Sequence, residues 1–324
     1  MPTALRVSRF ALLLGLCAVL AAGCSKSDSD PSSEGGKSGS GSGGGGGGSD
    51  LDFVIDGTGS FDAVRCADLW RNDKVRAALK EAGKGHSLEQ QYGLKPEEVE
   101  RLTHGHIRGE DPRVWVDWTI VRTTSAYDEQ KVRDKVVGPD FEERTANGKK
   151  YLARKLTEQQ LRQQEDDKKF NPNAPPPPQP CVCFHGKTVF VTAPTEAAMK
   201  KVLEGFPRKK SDGAIADGIS KASGGGYQMV SATGKNPGGD GSEGTVVSLS
   251  VSGGSWQMEM TVRFTSEDKA RAEKDKADKE VNNPAVLEKA GVKSLNVTRN
   301  GKEIKATATG DVSSFGKGFF GPSF

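Results

Sequence analysis

Cys181, Cys183 and His185 stand at i, i+2 and i+4. On a strand that spacing turns all three side chains to one face, and thiolate with imidazole is ligand chemistry for zinc or copper. Same-face neighbours on a straight strand are about 6.5–7 Å apart, so convergence on one ion requires distortion. The competing reading is a pair of small buried residues beside a turn histidine. His104 and His106 repeat the i, i+2 spacing across Gly105 and form a second candidate metal pair, set against a polar strand face at a sheet edge. Glu110 and Asp111 follow closely but fall in an expected turn. Neither C-x-x-C-H nor H-E-x-x-H occurs, and no resident cofactor is implied.

Read for redox chemistry instead, the cysteines offer a disulfide between Cys66 and either Cys181 or Cys183, with one thiol left over. Spacing alone does not supply the Cα separation that such a bond needs. Nucleophilic catalysis finds no motif: there is no G-x-S-x-G elbow, and neither His86 nor His185 has a recognisable serine or cysteine setting. Gly234-Lys235 is not a P-loop, because Met229 stands where the earlier glycine belongs and Asn236 where the magnesium-binding hydroxyl belongs. No catalytic residue is assigned.

One further cysteine has a different chemistry. Arg6 and Arg9 precede the apolar run Phe10–Leu20, and Lys26 and Asp28 close the segment off. That is the layout of a signal peptide, too short for a membrane-spanning helix of about twenty residues. Small residues Ala21, Ala22 and Gly23 lead to Cys24. Gly23-Cys24 resembles the lipobox of bacterial lipoproteins, with Ala21 where that family prefers leucine. The resemblance covers residues 1–24 only; the body resembles no characterised family. It implies cleavage before Cys24, diacylation of its sulfur, and anchoring in a bacterial membrane facing the periplasm. Ser25, rather than a retaining aspartate, resembles lipoproteins sorted to an outer membrane. One acyl chain holds only marginally and two hold firmly. Residues 24–50 are almost wholly Ser, Gly, Asp and Lys, a flexible tether with a typical span of about 28 Å.

The elements that must position these residues follow from periodicity. A strand is expected at Leu51–Ile55, helices at Phe61–Ala82 and Ser87–Tyr92, and strands at Val99–Ile107 and Val114–Ile120. A helix Tyr127–Val137, capped from Thr124 or Ser125, precedes a hairpin around Asn147-Gly148. Residues 157–180, rich in Gln, charge and Pro, read as a solvated excursion. A hairpin carrying Cys181–His185 and Thr188–Thr192 comes next, then helices Glu196–Leu203 and Asp212–Lys221 and a strand Tyr227–Ala232. Beyond a linker at 235–243, Val247–Val251 and Trp256–Phe264 alternate as strands. A charged helix Glu267–Val281, with a capping-box-like start at Thr265 and Asp268, leads to a hairpin around Asn300-Gly301.

Val121-Arg-Thr-Thr-Ser125 matches Val262-Arg-Phe-Thr-Ser266, and Asn147-Gly-Lys149 matches Asn300-Gly-Lys302. The fold class is therefore α+β, with largely antiparallel sheets, helices on one face and a ββαββ unit that reads as duplicated. The expected division is a leader at 1–23, lipidated cysteine and tether at 24–50, a first domain at 51–234 and a smaller unit at 235–324.

Charge excludes one partner class. Lys and Arg number 46 against 43 Asp and Glu, no basic stripe forms, and nucleic acid is not an expected partner. The Phe-rich end, residues 315–324, suits docking on the protein's own sheet or, alternatively, contact with a partner or a membrane. These features describe a lipid-anchored, non-catalytic envelope module contacting the membrane through its lipid and binding an unidentified protein or small molecule. The alternatives are zinc or copper binding in the envelope and, third, an envelope hydrolase.

Overall fold

The computed structural model describes residues 49–81, 87–108, 115–170, 177–208, 211–235, 241–281, 287 and 291–313. The leader, Cys24, nearly all of the tether, His86, Glu110, Asp111 and the Phe-rich end lie outside the described residues. The described strands are β1 (Thr58–Val64), β2 (Val99–Arg108), β3 (Trp115–Thr123), β4 (Phe141–Ala146), β5 (Lys149–Arg154), β6 (Cys181–His185), β7 (Val189–Ala193), β8 (Met229–Thr233), β9 (Ser242–Ser252), β10 (Ser255–Phe264), β11 (Val292–Asn300) and β12 (Glu303–Asp311). They join one antiparallel sheet in the order β11-β12-β10-β9-β8-β1-β2-β3-β7-β6-β5-β4. The helices are α1 (Cys66–Arg71), α2 (Asp73–Glu81), α3 (Ser87–Tyr92), α4 (Glu129–Val136), α5 (Glu158–Phe170), α6 (Glu196–Gly205), α7 (Gly213–Ser223) and α8 (Glu267–Val281).

The chain is α+β with an antiparallel sheet, as its patterning requires. The helices, however, cover both faces rather than one. On the front face Ala198, Met199 and Leu203 of α6 and Ile215 and Ile219 of α7 pack on Phe61, Trp118, Ile120 and Val191. On the back, Cys66 and Leu69 of α1, Val75 of α2, Leu88 of α3 and Val132 of α4 pack on Leu102, Val121, Phe190 and Met258. Farther along the back, Ala270 and Ala277 of α8 lie on Met260, Val262 and Ile304. Both faces need cover because the inner strands are apolar on both sides: all five residues of β7 are buried.

The ladder also crosses the expected domain boundary at 234/235. β8 pairs with β9 from Met229↔Leu249 to Thr233↔Thr245, and Val246 of β9 joins the same core as Ile215 of α7. Outward from the central β1/β8 pair, the sheet reads β1-β2-β3-β7-β6-β5-β4 one way and β8-β9-β10-β12-β11 the other. The units β2-β3-α4-β4-β5 and β9-β10-α8-β11-β12 thus share an order, with the β6–β7 hairpin inserted into the first.

Four local expectations change. Leu51–Ile55 contains a 3-10 turn, Asp50–Phe53, with Leu51 and Phe53 in the core. The start of the expected helix 61–82 is β1, because Phe61 and Ala63 alternate inward before α1 begins. The polar stretch after Arg154 forms α5: the Thr157 hydroxyl accepts from Gln160 N at 3.2 Å while the Gln160 side chain accepts from Thr157 N at 2.9 Å. That reciprocal pair is a capping box, followed by good helix formers. The caps of α4 and α8 are Asp128 and Ser266, not Thr124, Ser125 or Thr265. At the β4–β5 turn Asn147 and Gly148 have φ of 47° and 70°, the positive values of a type I′ hairpin.

Candidate functional site

Strand β2 carries two chemistries on its two faces. In the β2–β3 ladder Gly105 faces Trp118, while His104 faces Thr119 and His106 faces Asp117. The Trp118 ring lies over Gly105 on the front; a Cβ at that glycine would meet ring atom Cζ2 at 2.3 Å. Gly105 is thus the residue that lets a tryptophan fill the front core while the strand continues flat between two histidines on the back.

The two imidazoles meet edge to face, with centroids 4.5 Å apart and ring planes at 89°. His104 Nδ1 lies 3.0 Å from Thr119 Oγ1, and His106 Nδ1 lies 2.6 Å from Asp117 Oδ1. Ligand atoms of His104, His106 and Asp117 all fall within 4.8 Å of one another, and all three residues are half-buried. Metal–nitrogen and metal–oxygen bonds of about 2.0–2.2 Å require somewhat closer ligands. On the other flank Asp62 of β1 faces His104 directly. Burial first, and then the charge of His106, holds the His104 pKa below its usual value, against the opposing pull of Asp117 and Asp62. His104 is therefore neutral at neutral pH, the form that ligates metals. The Tyr92 hydroxyl of α3 shares hydrogen bonds with the side chains of Thr119 and Thr192, and burial pushes its pKa up.

The sequence pointed to His104 and His106 but not to Asp117. Asp117 sits between Val116 and Trp118 as an ordinary outward-facing residue of an alternating strand, and only the β2–β3 register brings it beside His106. Among the described residues no other three such groups converge this closely.

The cysteine cluster is corrected. Cys181, Cys183 and His185 do share the front face, but the thiols are buried and donate to the carbonyls of Gln179 and Lys150. Burial, then the nearby Glu196 charge, pushes Cys181 up to about 12, and burial pushes Cys183 up to about 11. The His185 ring sits 5.2 Å from each of Phe53 and Phe206, in an aromatic corner rather than a ligand set. Nor is there a disulfide: Cys66, Cys181 and Cys183 are free thiols. Cys66 belongs to the back core and the other two to the front, so the sheet itself stands between them.

Two polar clusters on the front face were not legible in the sequence. Asp50 is fully buried and accepts from Arg101 Nε and Nη2 at 2.8 and 2.5 Å. Arg101 also donates to the Ala222 carbonyl, and Arg122 bridges Asp50 and Glu100. This ion-pair network fastens the start of the folded body to the sheet. Elsewhere Lys221 Nζ donates to Ser248 Oγ at 3.0 Å and to Glu259 Oε2 at 3.1 Å, and Tyr227 donates to the same carboxylate at 2.8 Å. This cluster fastens α7 to β9 and β10.

No protein-family model matches the chain, and no curated protein does. Among solved structures it is similar to crystal form I of TP0453, at 7% identity and a TM-score of 0.49, covering 84% of this chain and 96% of that one. Crystal form III of TP0453 gives 9% identity and a TM-score of 0.47, covering 83% and 96%.

Proposed function

We propose that this chain is a lipid-anchored bacterial envelope protein whose tethered, non-catalytic body binds zinc or copper through His104 and His106. The observation that carries the metal reading is the convergence of His104, His106 and Asp117 within 4.8 Å on one sheet face. Two imidazoles and a carboxylate suit zinc(II) and copper(II), and the set contains no sulfur to favour copper(I). Anchoring rests on Gly23-Cys24 and the glycine-rich stretch behind it. Acylation on Cys24 would put the body in the periplasm, within about 28 Å of a membrane by the tether's typical span.

The test is metal titration of the untagged full chain, extracted in detergent and stripped with chelator. Stoichiometric zinc(II) or copper(II) uptake that disappears in His104→Ala and His106→Ala supports the reading. Absence of binding, or binding unchanged in both variants, overturns it. Anchoring is tested separately by metabolic labelling with a fatty-acid analogue, where label persisting in Cys24→Ala contradicts the assignment.

A further inference from the structure

We infer that residues 314–324 dock back on the sheet, as a strap over an apolar strip on the back of β8 and β9. The strip lies between two covers. Helices α1–α4 close the back of the first unit, and α8 closes part of the back of the second. Between them Met229 of β8, Val247 and Val251 of β9 and Leu295 of β11 are only half-buried, although all four pack against the back core. Val247 and Leu295 touch both back clusters, so they mark where the two meet. Trp70 of α1 is half-buried beside the same core. Helix α1 is fastened next to the strip by Asn72, whose side chain donates to the Gly253 carbonyl of the β9–β10 turn at 2.9 Å.

The path of the chain selects the occupant. Val312, just after β12, belongs to the back cluster with Trp256, Val292 and Ala308, and its N–H donates to the Gly254 carbonyl at 2.8 Å. The chain therefore leaves β12 at the β9–β10 turn, which is one end of the strip. Residues 314–324 follow, with phenylalanine at 315, 319, 320 and 324. Extended, they reach about 36 Å, whereas the strip from Gly254 back along β9 to Val247 is about 23 Å long at the rise of a strand. Glycine at 316, 318 and 321 lets the backbone lie close to the sheet. Docking takes both the half-buried strip and the phenylalanine rings out of water.

The experiment is photo-crosslinking of the untagged full chain in detergent, with benzoylphenylalanine in place of Phe319 or of Phe320 and the linked peptides identified by mass spectrometry. Expected are links within one chain to the peptides holding Met229 and Val247–Val251, in a yield independent of protein concentration. Links only between chains would mean that a second copy covers the strip. Links only to detergent or lipid would mean that the segment turns to the membrane, and no links that it stays in solvent. Each of these three outcomes overturns the proposal. Fluorine NMR of the fluorotryptophan-labelled chain gives a second readout, with four tryptophans to assign. Removing residues 314–324, or changing Phe319→Ser and Phe320→Ser together, should shift the Trp70 resonance. Trp115 of β3, four strands from β9, should not move. Neither variant alters a residue of the three core clusters, and a Trp70 resonance unmoved in both would contradict the strap.

Discussion

The two ββαββ units place opposite chemistry on equivalent positions. On the back face the first unit carries His104, His106, Asp117 and Thr119, where the second carries Val247, Leu249, Met258 and Met260. On the front the order reverses: Trp118 and Ile120 of β3 are core residues, while Glu259 and Thr261 of β10 are half-exposed and Glu259 binds Lys221 and Tyr227. The cause lies in what covers each face. The 3-10 turn and α6 close the front of the first unit, and α8 closes the back of the second. In the second unit the same strand pairing folds with an apolar back face. The His/Asp rows are therefore not demanded by the architecture.

That comparison can be broken most severely at the front of the first unit. Arg101→Ala leaves Asp50 buried without its main partner, and loss of one member of such a pair costs about 3–5 kcal/mol. Arg263, the counterpart of Arg122 in the second unit, is 41% exposed in its side chain and pairs with Asp217 and Glu303. Arg263→Ala should cost only about 0–1 kcal/mol. Chemical denaturation of both variants measures the asymmetry, and equal losses would mean that the two units are fastened alike.

Gly105→Ala comes next. The new Cβ must displace the Trp118 ring, an overpacking expected to cost about 1–3 kcal/mol. It would also shift the backbone between the two histidines, so metal affinity should fall along with stability. Thr103 supplies a smaller effect of opposite sign. Its buried Oγ1 has no hydrogen-bond partner among the described residues, so Thr103→Val, matching Val246 in the second unit, should be neutral or stabilising. A clear loss of melting temperature would show that the hydroxyl has a bound partner.

Acid sharpens the comparison at the outer end of the first unit. Burial alone would raise the Glu196 carboxyl, but hydrogen bonds from Lys200, Arg144 and Tyr151 outweigh it and hold its pKa at about 2. A depressed carboxyl stabilises the fold above its unfolded value of about 4.5, and that contribution is lost as pH falls through the folded value. Wild type and Glu196→Gln should therefore differ in stability at neutral pH and converge towards pH 2, as followed by denaturation at several pH values.

Much of the first unit was legible because β2 and β3 alternate, and the Asn147-Gly148 turn specifies its hairpin by φ alone. β1 was not: Phe61 and Ala63 run straight into the helical residues of α1, and the two periods merge into one apparent helix. The continuity of the sheet was hidden because β8 and β9 are joined through a Gly-rich stretch that reads as a linker, while the ladder between them is a long-range property. For the site, His104-Gly-His106 was visible as a pair. Asp117 and Asp62 were not, since strand register across β1, β2 and β3 depends on packing that no local spacing encodes.

The central claim is that the polar back face serves binding rather than folding. The direct measurement is zinc(II) and copper(II) titration, with melting temperature, of a chain carrying His104→Val, His106→Leu, Asp117→Met and Thr119→Met together, which writes the second unit's residues into the first. Expected is complete loss of metal binding with a melting temperature equal to or above that of wild type. Retained binding, or a fold that collapses without those four residues, would contradict it.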